Sequence, residues 1–301
     1  MKTRIYGAIV LLLLAIYLLQ GALAGRDRNA ITLPEIPANL HTIAVTTSEG
    51  EVTLTWDDTA AQWRVGPERF LADTDVVERV LEPLRGGRRL GIVTERGNRQ
   101  EFGLNGATGQ EIVLTGDSTL TVTLGDAAAV GEFVYGQVNR GGPIVRVPRA
   151  VSSRLFGRVA DYRDMVVFRA SEDEVASIKI WDNSGVVLPE EVLLRRETAD
   201  WAIAGVEVGA QRVRDLVREV TALTVDRYHD QPRPVDDPLL TIEVHRESGD
   251  PVTLHIAPPD GQRRFAGRIS TSEHTFDLPE WRVRRLFLGF DDAFDQLFTE
   301  S

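Results

Sequence analysis

Residues 63–84 read WRVGPERFLADTDVVERVLEPL, and the fold follows from how that stretch is understood. Trp63-Arg64-Val65 alternates apolar and polar residues, the period of a half-buried strand. Asp73 then stands where a side-chain oxygen can cap a helix. Val77, Val80, Leu81 and Leu84 fall at i, i+3, i+4 and i+7, which gives that helix one apolar face. The same plan returns at 201–223, WAIAGVEVGAQRVRDLVREVTAL: Trp201 opens a strand, and Val213, Leu216, Val217 and Val220 repeat the helical spacing. The chain reads as one unit used twice.

Working outward, Ile43 and Val45, then Val52, Leu54 and Trp56, then Trp63 and Val65 form a meander with turns at Ser48-Glu49-Gly50 and Asp57-Asp58-Thr59. The helix that follows is expected to end near Gly86-Gly87. Further strands are expected at Ile112–Leu114, Leu120–Leu124, Phe133–Val138 and Pro143–Val147, then a short helix after Pro148. The second half replays this order. Ile178 lies 135 positions after Ile43, and Gly185 lies 135 after Gly50. Trp201 follows Trp63 by 138, and Pro279 follows Pro148 by 131. The copies differ where Arg96–Gly109 has only the proline- and aspartate-rich Tyr228–Pro238 opposite it. The tail from Phe290 to Phe298 reads as an amphipathic helix docked by Phe294 and Leu297.

The predicted fold class is α+β: an N-terminal transmembrane helix and two tandem, mainly antiparallel β units with packed helices. The expected boundaries are a membrane anchor or signal segment over 1–25, an extended linker over 26–39 containing Pro34 and Pro37, a first unit over 40–168 and a second over 169–301. Lys2 and Arg4 precede the uncharged run Gly7–Ala24, which as a helix rises about 27 Å, close to the roughly 30 Å hydrocarbon core. Ala22-Leu23-Ala24 also matches a signal-peptide cleavage pattern. Retained anchor and cleaved signal both stand, with the bulk of the chain outside the cytoplasmic membrane in either case.

A net charge of −11 argues against a nucleic-acid surface, which needs a dense basic face to release counterions from phosphates. The absence of cysteine excludes disulfides, thiolate metal sites and a cysteine nucleophile. No nucleophile elbow, phosphate-binding glycine loop or dinucleotide fingerprint occurs. His41, His229 and His274 stand isolated. His245 and His255, on the two arms of a hairpin around Gly249, share an outward face with Glu243, but a metal site needs a further ligand and a second shell. The doublets Asp57-Asp58, Asp236-Asp237 and Asp291-Asp292 suit turns and solubility. Neither catalytic residues nor cofactors are expected. One charged doublet, Arg163-Asp164, precedes the apolar Met165–Phe168 at the join of the units, as an ion pair or cap locking the halves or as a contact for a partner protein.

The Trp-x-Val strand leading to Ala72-Asp73, the triplet Phe102-Gly103-Leu104, the pair Val134-Tyr135 and the run from Arg163-Asp164 to Phe168, followed by Val175, Ile178 and Ile180, resemble the DUF4340 family of bacterial envelope proteins. The triplet is commonly Tyr-Gly-Leu in that family, so Phe102 is a departure, and the second unit has no triplet. The resemblance implies no reaction. It implies a companion of ABC-type export systems with a gliding-motility-type auxiliary subunit, on the outer side of the cytoplasmic membrane, and favours the retained anchor. The functional expectation is therefore a non-enzymatic, membrane-tethered periplasmic accessory protein whose partners are transporter or auxiliary subunits. The alternatives are an exported hydrolase or glycan-binding module and a structural spacer.

Overall fold

The computed structural model describes residues 29–105, 109–129, 131–188, 191–197 and 200–298. The anchor or signal segment expected over 1–25 lies outside them. Among the described residues no helix is long and apolar enough to cross a membrane. The fold is α+β, mostly antiparallel sheet with a few helices, and it divides into two compact units between Arg163 and Asp164.

The first unit contains β1 (Ala30–Thr32), β2 (Thr42–Thr47), β3 (Gly50–Asp57), β4 (Gln62–Val65), β5 (Phe70–Leu71), α1 (Thr74–Leu81), β6 (Arg89–Thr94), β7 (Gln110–Thr115), β8 (Thr119–Ala127), β9 (Phe133–Val138), β10 (Ile144–Pro148) and α2 (Arg149–Ser152). Its ten-stranded sheet runs β5-β4-β3-β2-β7-β8-β9-β10-β6-β1. Alternation decides which face is core: Ile43, Val45, Val52, Leu54, Val65, Ile112 and Leu114 are all essentially buried. Trp63 pairs with Trp56 across β3 and β4, and their rings meet edge to face at 5.5 Å. The Asp73 side chain caps α1, accepting from the N–H groups of Asp75 at 2.8 Å and Val76 at 3.2 Å. Val76, Val77, Val80 and Leu81 are the buried face of that helix. It passes into a short 3-10 turn holding Pro83 and the buried Leu84, and Gly87 follows in the left-handed region at φ +83°.

The second unit contains β11 (Val166–Arg169), β12 (Val175–Asp182), β13 (Val192–Glu197), β14 (Asp200–Ala204), α3 (Ala210–Thr221), β15 (Ala222–Thr224), β16 (Arg227–Tyr228), β17 (Leu240–Arg246), β18 (Val252–Pro259), β19 (Arg264–Ile269), β20 (Thr275–Pro279), α4 (Glu280–Leu286) and α5 (Asp291–Gln296). Its eight-stranded sheet runs β14-β13-β12-β17-β18-β19-β20-β16, and β11 and β15 form a separate ribbon. With β5 set aside, the order β4-β3-β2-β7-β8-β9-β10-β6 of the first unit matches this sheet position by position. The first half of β6, paired with β1, corresponds to β15 on β11, and its second half, paired with β10, to β16 on β20. Phe294 of α5 is fully buried against Phe265 and Phe287.

Two boundaries differ from the sequence reading. Within the linker expected over 26–39, Ala30–Thr32 form a strand paired with β6, and Leu33 is buried. Three residues are too few to show alternation, so the segment reads as loop until its partner is known. Met165–Phe168, placed with the first unit, pairs within the second: Val166 lies opposite Thr224, and Val225 donates its N–H to the Met165 carbonyl at 2.8 Å. An apolar strand carries no mark of which sheet will take it.

Candidate functional site

The family-like motifs of the first unit meet in space. Gly103, in the left-handed region at φ +69°, closes the 3-10 turn Arg99–Phe102 and turns the chain so that Leu104 is buried. Arg99 clamps the turn by donating to the Leu104 carbonyl at 3.0 and 3.2 Å. Phe102 lies edge to face on Tyr135 at 4.9 Å. The turn presses so closely on β8 that a Cβ at Gly125 would lie 2.0 Å from the Phe102 carbonyl oxygen. The triplet and the Val134-Tyr135 pair are therefore two sides of one packing contact.

Arg163 and Asp164 flank the division between the units. The Arg163 guanidinium lies 3.7 Å from the centre of the Phe70 ring, and its backbone bridges to Ala72. Asp164 is 4% exposed; Oδ1 accepts from the Val166 N–H at 2.9 Å and from Arg169 at 3.0 Å, and Oδ2 accepts a second Arg169 N–H. Its carbonyl accepts the Tyr228 hydroxyl at 3.0 Å. Asp164 thus acts as a cap at the start of the second unit.

Two of the five histidines are on the β17–β18 hairpin. On the β17–β18 hairpin His255 lies opposite Thr241, with Nδ1 3.3 Å from Oγ1, and Glu243 contacts His245. His245 is four positions from Thr241 along β17, roughly 13 Å, so the two imidazoles do not converge on one ion. Burial and the nearby Arg268 push the His255 imidazole below its usual range. Among the described residues no three His, Cys, Asp or Glu side chains are grouped to hold a metal.

His229, isolated in sequence, is buried in the second unit. Its Nδ1 lies 2.9 Å from Thr275 Oγ1 and its Nε2 2.6 Å from Asp277 Oδ1, while Arg227 donates to Oδ2 of Asp277 at 2.5 Å. Burial raises the Asp277 carboxyl, but the hydrogen bonds and charges of Arg227 and His229 outweigh it and hold the group below the ordinary carboxylate range. Thr275 is 1% exposed, and its oxygen also accepts the Arg233 N–H at 2.9 Å. A hydroxyl, an imidazole and a carboxylate in line have the outline of a nucleophile chain. Here all three are buried and tie β16 and the loop after it to β20.

The surface suited to recognition is on α3 and α4, which carry six arginines against three carboxylates, with Asp291 and Asp295 of α5 also paired to Arg284. Trp281 is 50% exposed, with Arg282 and Arg285 at 4.6 and 5.0 Å from its ring. The buried Glu219 of α3 holds both arginines: Arg282 contacts one oxygen, and Arg285 donates to the other at 3.3 Å. Beside them Arg212, Arg218 and Arg285 line a cleft of about 300 Å³ that reaches Gly289. Arg212 faces the Phe290 ring at 5.7 Å and has no carboxylate partner among the described residues. Sequence reasoning passed over this face. Its signal is the i, i+4 pair Trp281 and Arg285, set against the buried Val283 and Leu286.

No curated protein matches the chain. The model of the family described as Domain of unknown function (DUF4340) matches residues 56–241, from β3 of the first unit to β17 of the second. With more than half of its length under that match, the chain belongs to the DUF4340 family.

Proposed function

We propose that this is a non-enzymatic accessory protein, tethered to the outer side of the cytoplasmic membrane, that binds a protein partner in an ABC-transporter-associated envelope complex. The observation that carries the docking role is Trp281, half exposed between two arginines that Glu219 holds in place. Tryptophan and arginine are the residues most often found at the energetic centre of interfaces, and a rigid, pre-paired arginine loses little freedom on binding. Arg212, without a carboxylate partner among the described residues, offers a charge that an acidic group of the partner can meet. Support for the tether is the uncharged run Gly7–Ala24 behind Lys2 and Arg4. The transporter is the partner class that the family resemblance implies. We read the matching strand orders as a duplication in which the second copy carries the contact.

Affinity purification of the full chain from native membranes tests this reading, run in parallel with a Trp281→Ala, Arg285→Glu variant. Transporter subunits should accompany the wild type and fall at least tenfold with the variant. Wild-type preparations that lack such subunits, or equal recovery with both proteins, would refute it.

A further inference from the structure

A terminal strand of an open sheet presents N–H and C=O groups that can pair with another chain, and proteins commonly close such edges with very short strands, charges or proline. Among the described residues, three of the four terminal strands of the two large sheets are short: β1 has three residues, and β5 and β16 have two each. The fourth, β14, has five residues, Asp200-Trp201-Ala202-Ile203-Ala204, with neither lysine nor proline and no charge after Asp200.

The first unit shows what belongs on that edge. There the counterpart of β14 is β4, with Trp63 and Val65 in the places of Trp201 and Ile203. Strand β5 pairs on it with Phe70 opposite Val65, and Ala72 donates its N–H to the Trp63 carbonyl at 2.9 Å. Under that cover Trp63 is 8% exposed, Phe70 1% and Val65 fully buried. In the second unit the connection from the strand to the following helix is three residues shorter, 205–209 against 66–73. Residues 206–209 form no strand, and among the described residues β13 is the one strand paired with β14. Ile203 lies opposite the fully buried Leu194, so Trp201 and Ile203 are on the core face, yet both are only half-buried.

We propose that the β14 edge binds a second copy of this chain, β14 against β14, antiparallel about Ala202. In that register the partner's Trp201 falls opposite Ile203, and the reverse, so each copy receives an aromatic side chain where the first unit has Phe70 opposite Val65. Asp200 falls opposite the partner's Ala204. The two aspartates are then four positions apart along the strands, roughly 13 Å, beyond the ~8 Å screening length at physiological salt. Five paired residues make a contact at the transient end of known interfaces, so the dimer is weak in solution and is best trapped. The inference is independent of the Trp281 docking face, which is on other elements.

The chain has no cysteine, so one substitution gives one thiol. Ala202→Cys on the two-fold axis places two Cα atoms about 4.5–5.5 Å apart, within the roughly 4.4–6.8 Å range of a disulfide. Ala204→Cys is the control, its two Cα atoms being roughly 14 Å apart in the same register. Full-length variants with wild-type urea midpoints are oxidised in detergent and run on non-reducing gels. Ala202→Cys should form disulfide-linked dimers at least tenfold faster than Ala204→Cys. Equal rates, or no dimer from Ala202→Cys, overturn the proposal. In wild-type protein the β14 amides should exchange hydrogen more slowly as concentration rises; exchange that is fast or slow but independent of concentration also overturns it. It would leave the edge open, or covered by a strand from another protein.

Discussion

Asp164→Ala tests whether the charged doublet at the start of the second unit is there for the fold. The carboxylate is 4% exposed and accepts the Val166 N–H at 2.9 Å, a bond to an ionised acceptor worth about 1.5–3 kcal/mol net. The Arg169 side chain is 61% exposed, so its ion pair adds under about 1 kcal/mol. Removing a buried carboxylate also removes the cost of having dried it, which offsets part of this loss. Together these leave a destabilisation of about 2 kcal/mol, or a fall in Tm of about 6 °C for a unit of this size. Asp164→Asn keeps an oxygen for Val166 and gives up the charge, so it should lose about half as much. Urea unfolding followed by circular dichroism, at unchanged m-value, reads both variants. An alanine variant within about 0.5 kcal/mol of wild type would refute the capping role. Unchanged stability with loss of a co-purifying protein would assign Asp164 to a partner contact instead.

Tyr162→Phe removes a hydroxyl that donates to the Phe156 carbonyl at 3.3 Å and accepts its N–H at 3.2 Å beneath a fully buried ring; thermal melts should show a loss of about 1–2 kcal/mol. Gly125→Ala drives a methyl group into the Phe102 carbonyl at 2.0 Å, so it should cost at least about 2 kcal/mol and expose the Phe102-Gly103-Leu104 turn to limited proteolysis. Because Asp277 has its carboxyl depressed in the fold, the unfolded chain binds the proton more tightly. The stability it supplies is complete above the unfolded value of about 4 and is lost as pH falls through the lower folded value. Comparing urea midpoints at pH 7 and pH 3 should therefore show a smaller acid-induced drop in Asp277→Asn than in wild type.

Periodicity alone reaches a good part of this molecule. The alternation around Trp63 and the i, i+3, i+4 pattern ending at Leu84 locate β4 and α1 and their core faces, because burial of one face leaves the same imprint in any fold with those periods. The even spacing from Ile43 to Ile178 and from Gly50 to Gly185 belongs to the strand orders that recur in the two sheets. The charged doublet at 163–164 was visible as a mark between the units. Its chemistry was not, since it depends on Phe70, 93 positions earlier, and on the turn to Arg169. His229 read as isolated because its partners, Thr275 and Asp277, lie on a strand almost fifty residues away. The exposure of Trp281 is decided by the fold: α4 turns Val283 and Leu286 inward and leaves the indole outside with the arginines that Glu219 holds. A sequence records which side chains avoid water. Which backbone edge finds no neighbour, as at β14, is settled only when every strand has taken its place.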